Sequence, residues 1–353
     1  MSTVAHAVGL LITLGAGVEL TARVHDLVRD DVPLLSSPDK DADLVVQDDL
    51  GLRGRPHGRH KVWRLNAFGF RSPDMTEAPA PGCTRVMTLG ASETFGLYET
   101  PGHEYPTQLA SALRATGCHE VVNAAIYGMT VPDIDRTWTN WDARFRPAIV
   151  TIYPTPAFYL SPNAPHTARP RPAGFARPAW WMPRALDRAR DVIEYPAFVQ
   201  QRRVEREIAR IDGAHEASWF YREVPADRLA QFEADMSQLV AHVAATGARV
   251  IVVTHAHGFR TPPDAGDAQA LLAWRTLVQR ATPDVLLAFE SAARTATLRV
   301  AAGHGVEVVD LAAEMNGRRE WFAGDLLHFN DTGAGVVAAR LASAITGVAA
   351  AAR

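Results

Sequence analysis

From about residue 84 onward, short, mostly apolar runs alternate with longer stretches in which apolar residues recur every three or four positions. The runs cover residues 86–89, 121–125, 148–153, 249–254 and 306–311. Runs of this kind predict strands covered on both faces, and 148–153 reads as central. The stretches between them predict helices. Residues 105–115 place Leu109, Ala112 and Leu113 on one face, and 132–144 carry Trp138 and Trp141. Residues 227–246 form a long amphipathic helix stopped by Gly247. A helical stretch over 268–302 breaks at Pro283, and a last helix over 330–344 takes Asn330 or Asp331 as its N-cap. Five strands joined by helical crossovers make an α/β fold, a parallel sheet with helices on both faces.

Two regions depart from this rhythm. Residues 4–18 are almost all apolar, a run of 15 ended by Glu19 and Arg23. That is short of the roughly 20 residues needed to cross a bilayer. The run has no basic residue before it and no clear cleavage site, so it reads as a membrane anchor; the alternative is a helix docked on the domain. A membrane-anchored, extracytoplasmic place is favoured over the cytoplasm. Residues 156–226 interrupt the alternation with a Pro- and Arg-rich piece containing Trp180 and Trp181, then a charged helical run over 184–211. An insertion this long reads as a cap over the sheet edge; the alternative is a peripheral decoration. The domains are therefore 1–28 (apolar helix), 29–82 (linker and extension), 83–155 with 227–346 (core), and 156–226 (cap). Within the extension, 29–50 is acidic and proline-rich like a linker, and 64–73 reads as a turn held by aromatics.

Composition narrows the function. The 353 residues are 47% hydrophobic and 21% charged, with a net charge of -3, so nucleic acid is not the expected partner. A small-molecule or glycan partner fits better. The two cysteines, Cys83 and Cys118, are too few for a four-ligand zinc site. Each stands just before an apolar strand. Parallel neighbouring strands would bring the thiols to one sheet edge, where a bridge is geometrically open to them; the alternative is two buried thiols. A bridge would place the domain outside the cytoplasm.

The candidate chemistry lies at the carboxyl ends of the strands. Residues 85–96, Arg-Val-Met-Thr-Leu-Gly-Ala-Ser-Glu-Thr-Phe-Gly, read as strand, tight turn and helix start, with Ser92 at the bend. Free N–H groups of the following helix point at that spot. A serine nucleophile needs a base, and the base an orienting acid. Asp325 and His328 stand before the last helix at the same edge, spaced so that the carboxylate can bond one ring nitrogen while the other faces Ser92. His255 and His257 also follow a strand, but lack neighbouring carboxylate or cysteine ligands and read as loop histidines rather than a metal pair. No metal or cofactor is expected.

On these motifs the chain resembles the SGNH (GDSL-type) hydrolases. Gly90-Ala91-Ser92-Glu93-Thr94-Phe95-Gly96 is similar to their first block, Gly128 to their second, and Asp325 with His328 to their last. The resemblance spans about residues 84–155 and 247–345. It implies a flavodoxin-like three-layer sandwich and a serine ester hydrolase. Ser92 is then the nucleophile, His328 the base and Asp325 the orienting acid, with the N–H groups of Ser92 and Gly128 as the oxyanion hole. Ala91 stands where the family has aspartate. Tyr153-Pro154-Thr155-Pro156 lacks the family's oxyanion asparagine, leaving Thr155 as the nearest polar substitute and Asn163 as a distant one. Losing one such donor costs about 3–4 kcal/mol. The resemblance implies an esterase, lipase-like or O-acetyl esterase. Alternatives are an O-acyltransferase using the same triad on a glycan, and a degenerate binding protein.

Overall fold

The computed structural model describes residues 2–30, 32–36, 44–162, 183–186 and 197–347. Asn163, Trp180 and Trp181 lie outside the described residues. Strands β1 (Val45–Asp48) and β2 (Gly51–Gly54) form a hairpin, as do the two-residue strands β3 (Arg59–His60) and β4 (Trp63–Arg64). The central sheet comprises β5 (Thr84–Gly90), β6 (His119–Asn123), β7 (Ile149–Tyr153), β8 (Arg249–Val253) and β9 (Glu307–Val309). All are parallel, in the order β6-β5-β7-β8-β9. Counted from β5, that is the 2-1-3-4-5 order of flavodoxin-like sheets.

The helices are α1 (Ser2–Asp30), α2 (Ser92–Phe95), α3 (Tyr105–Leu113), α4 (Val131–Asn140), α5 (Ala197–Ala214), α6 (Ala226–Ala244), α7 (Ala268–Arg275), α8 (Pro283–His304), α9 (Leu311–Met315) and α10 (Asp331–Thr346). Helix α3 packs on α10, while α4, α6 and α8 pack in a row. Right-handed crossovers put these two groups on opposite faces of the sheet, making three layers. Every residue of β7 is buried, as its apolar pattern predicts for a central strand. Strand β9 is shorter than its apolar run. The Asp310 carboxylate turns the chain there by accepting from the Ala313 N–H at 3.3 Å as the N-cap of α9.

One polar residue holds the amino edge together. Arg85, fully buried at the start of β5, pairs with Glu120 on β6 at 2.6 Å. It also donates to the carbonyls of Thr76, Glu77, Ala78 and Phe145. A buried guanidinium is tolerated because its N–H groups find acceptors. Beside it, Cys83 and Cys118 are joined by a disulfide, with Cα atoms 4.6 Å apart.

The acidic stretch read as a linker ends sooner than its composition suggests. Leu44, Val45, Leu52, Leu65 and Phe70 are buried in the same core as the sheet. Gly54 and Gly69 approach so closely that a Cβ on either would strike the other's carbonyl oxygen. The 64–73 turn is held by Asn66, whose Oδ1 accepts from the N–H groups of Phe68 and Phe70. Phe68 and Phe70 meet Phe145 edge-on, with centroids 4.9 and 4.8 Å away.

The insertion begins inside the core: Tyr159 is buried and its hydroxyl donates to Asp235 on α6 at 2.6 Å. Helix α5 rests on α7, where Asp212 pairs with Arg275. Arg184 and Ala185 instead grip the far end of α1. Their backbone N–H groups donate to Glu19, and the Arg184 guanidinium pairs with Asp26 at 2.9 Å. The other end of α1 is bare: Val8, Leu10, Leu11, Ile12, Leu14 and Val18 are exposed. The stretch Ala5–Arg29 is long and apolar enough to cross a membrane, by length and composition.

The disulfide closes a loop with a sequence separation of 35. Replacing both cysteines by serine should lower unfolding free energy by about 3–4 kcal/mol through loop entropy. Denaturant unfolding under non-oxidising and oxidising conditions checks this; identical midpoints for the wild type and the double variant would contradict it.

Candidate active site

Strand β5 ends at Gly90, and the chain turns through Ala91 into the single turn α2. Gly90 is required there, because a Cβ would strike the Thr94 side chain and lie 2.9 Å from the Tyr153 carbonyl oxygen. Gly96 closes the turn in the left-handed region, at φ 84°. Two side chains outside the motif fix this turn. Arg71 donates to the carbonyls of Phe95 and Gly96, at 2.6 and 2.5 Å, and Asn123 donates to that of Thr94 at 2.9 Å. They satisfy carbonyls that so short a helix leaves unpaired.

Asp325 and His328 meet as their spacing predicts. The loop folds back on itself, with the Ala323 N–H donating to the His328 carbonyl at 2.8 Å. Asp325 Oδ1 accepts from the N–H groups of Leu327 and His328, and Oδ2 lies 2.6 Å from His328 Nδ1. This arrangement fixes the ring and leaves Nε2 as the acceptor. That nitrogen is buried and has no hydrogen-bond partner among the described residues. Tyr98 covers the ring at 4.8 Å between centroids. Asn330, not Asp331, caps α10, accepting from the Gly333 N–H; Asp331 accepts from Thr100 instead.

Burial alone would depress the His328 pKa. The hydrogen bond to Asp325, then the charges of Glu93 and Asp325, outweigh it and raise the pKa above the usual imidazole value. Asp325 is correspondingly held low, burial being outweighed by His328 and two backbone N–H groups.

The Ser92 hydroxyl, nearly buried, donates not to His328 but to Glu93 Oε2, at 3.3 Å. Thr155 donates its single hydroxyl proton to the same oxygen at 3.1 Å. Its hydroxyl is therefore committed to a carboxylate and not presented to an oxyanion. Gly128, at φ 79°, has open space before its Cα, and its N–H has no acceptor among the described residues.

Behind Glu93 lies a network that motif reading did not find. His255 Nε2 is 3.4 Å from Glu93 Oε1, and its Nδ1 is 2.8 Å from Glu290 Oε2 on α8. All three residues are 3–4% exposed. Burial opposes charge on His255, but Glu290 and then Glu93 push its pKa up to about 10. Against its own burial Glu93 is held down to about 2, by the His255 hydrogen bond and then the charges of His328 and His255. The two histidines read as loop residues thus have opposite fates, since burial drives His257 down to about 4. Among the described residues no cluster of His, Cys, Asp or Glu has metal-holding geometry. A signal for Glu290 was present: it lies on the buried face of α8 with Leu286, Phe289, Ala293 and Thr297, where a lone carboxylate needs a partner.

No family model and no curated protein matches the chain. Among solved structures, it is similar to a lipase/acylhydrolase from Enterococcus faecalis at 15% identity, covering 76% of this chain and 100% of that one, with a TM-score of 0.45. It is similar also to an acetyl xylan esterase from Geobacillus stearothermophilus, at 15% identity over 79% of this chain and 100% of that one, with a TM-score of 0.45. A third such structure is TesA, at 13% identity over 75% and 100%, with a TM-score of 0.44.

The network makes stability depend on pH. His255 moves from 6.5 to about 10 on folding, so its contribution is complete below 6.5 and is lost as pH rises through about 10. Glu290→Gln removes the main support of that shift. Urea unfolding between pH 6.5 and 10 should show the wild type losing more stability than the variant; parallel curves would count against the network.

Proposed function

We propose that this chain is a serine ester hydrolase working through an acyl-enzyme on Ser92. The carrying observation is the Asp325–His328 pair, whose open Nε2 stands with Ser92 at the carboxyl edge of one sheet. In this mechanism the Ser92 hydroxyl turns from Glu93 to that nitrogen as substrate binds, since catalytic hydrogen bonds often tighten only in the complex. Ser92 Oγ then bonds to the ester carbonyl carbon while His328 Nε2 takes the hydroxyl proton. Collapse of the tetrahedral adduct breaks the bond to the alcohol, which leaves with the proton from His328. Water, activated by the same ring, attacks the acyl-Ser92 carbon and releases the carboxylic acid and free serine.

The N–H groups of Ser92 and Gly128 are the oxyanion donors in this scheme. With its hydroxyl held by Glu93, Thr155 is not a third donor. Turnover of simple esters is accordingly slow, by about 100-fold or more against a site with three donors. The substrate class is a small-molecule or glycan ester, an O-acetyl group being the simplest case.

Because His328 must be neutral to act as base, kcat/KM should rise with pH and level off only above the usual imidazole value of 6.5. p-Nitrophenyl acetate assayed with and without a glycan acceptor checks the reaction. Acid release without acceptor supports hydrolysis, whereas product formed only with acceptor supports acyl transfer. Ser92→Ala should abolish both turnover and labelling by a fluorophosphonate. A wild type that takes no label, yet binds ligand as well as Ser92→Ala does, would make the chain a binding protein.

Helix α1 is the membrane anchor in this proposal, and the Cys83–Cys118 bridge supports a place outside the cytoplasm. Leu11→Asp with Ile12→Asp should release the chain from phospholipid vesicles in a flotation assay; unchanged flotation would contradict the anchor.

A further inference from the structure

The one hydrogen bond of the Ser92 hydroxyl among the described residues goes to a carboxylate outside the proposed triad. Its hydroxyl points at Glu93 while His328 Nε2 stays unpartnered. Glu93 is a poor general base, because a carboxylate held so firmly ionised has little appetite for a proton. Its carboxylate is, however, favoured in the ionised form and almost wholly removed from water. His255 contributes to that: its ring, held by Glu290 at 2.8 Å, lies 3.4 Å from Glu93 and fixes it in place.

We propose that Glu93 is a fourth catalytic residue, holding the Ser92 hydroxyl in the resting site and placing a fixed negative charge beside His328, with His255 and Glu290 as the positioning residues that hold it there. The proposal rests on the serine-hydrolase reading. When Ser92 attacks, His328 becomes an imidazolium, and in a site shielded from water an opposite charge nearby counts for more than at the surface. The groups facing His328 are Asp325 from its own loop, Glu93 from α2, and Glu99 with the Tyr98 ring from the segment after α2. Those facing Glu93 are Ser92, Thr155 from the end of β7, His255 from the end of β8, and His328.

Of the carboxylates around His328, Asp325 orients the ring through a direct hydrogen bond, so removing it changes geometry as well as charge. Burial pushes Glu99 up to about 8, so it is largely uncharged at neutral pH. Glu93 is the carboxylate that acts on His328 through charge without touching the ring. Changing it therefore separates electrostatics from orientation.

The test is a histidine-ring NMR titration of the full chain, with His328 assigned from His328→Ala, alongside the pH profile of kcat/KM for p-nitrophenyl acetate. Glu93→Gln should lower the His328 pKa by about one unit and move the acid limb of the profile with it. The plateau should fall about tenfold, the cost of one unit of imidazolium stabilisation. Glu290→Gln, which leaves the sheet edge itself untouched, should move both readouts the same way by less. A purely structural role would alter the melting temperature and leave the His328 titration where it was. An active wild type with an unmoved titration in both variants overturns this proposal alone. A wild type that neither hydrolyses the ester nor takes a fluorophosphonate overturns the hydrolase reading, and the catalytic role of Glu93 with it.

Discussion

The chemistry of this chain depends on five parallel strands ending along one edge. Register pairs Gly90 at the end of β5 with Tyr153 at the end of β7, so Ser92 and Thr155 emerge side by side. His255 follows β8, Gly128 follows β6, and the loop carrying Asp325 and His328 returns after β9 and α9. No one segment holds the site. Each loop contributes one or two groups, and the sheet, not local chain geometry, sets the distances between them. That is why so much of the packing serves the ends of β5. Arg85 ties its amino end to β6 and to the 76–78 carbonyls, while Arg71 and Asn123 tie the α2 turn at its carboxyl end.

Charge inside the site follows from burial. Glu93, His255 and Glu290 stand in a row at hydrogen-bond distance, carboxyl, imidazole, carboxyl, in a region nearly closed to water. An isolated ion there would be prohibitive, but alternating signs at hydrogen-bond distance make the row tolerable. The same row explains two oddities of the sheet edge. Thr155 turns its hydroxyl inward because a carboxylate is a stronger acceptor than anything its loop offers. Ser92 does likewise, and His328 Nε2 has no partner among the described residues.

Much of this was legible in the order of residues, and the boundary has a physical reason. Mostly apolar runs marked the five strands, most clearly β5, β7 and β8, whose residues are almost all buried because both faces of the sheet are covered there. Asp325 and His328 were legible as a pair because three residues of chain suffice to bring them together. Glu93 was not, although it stands next to Ser92 in the chain. Its partner His255 is 162 residues away, and Glu290 lies a further 35 along, so their contact exists only through the sheet. Thr155 was singled out for its position as an oxyanion donor, but position could not tell which way its hydroxyl turns. The extension over 44–82 was hidden by composition, since a few apolar residues among acids and glycines are enough to dock it.

The central claim is that Ser92 becomes covalently acylated through His328. Intact-mass and peptide mass spectrometry of protein quenched in acid during turnover of p-nitrophenyl acetate tests it most directly. The account predicts one added acetyl group, located on the peptide containing Ser92 and absent when His328 is replaced by alanine. An acetyl group on any other residue, or on none while p-nitrophenol is released at a rate that survives Ser92→Ala, would contradict it.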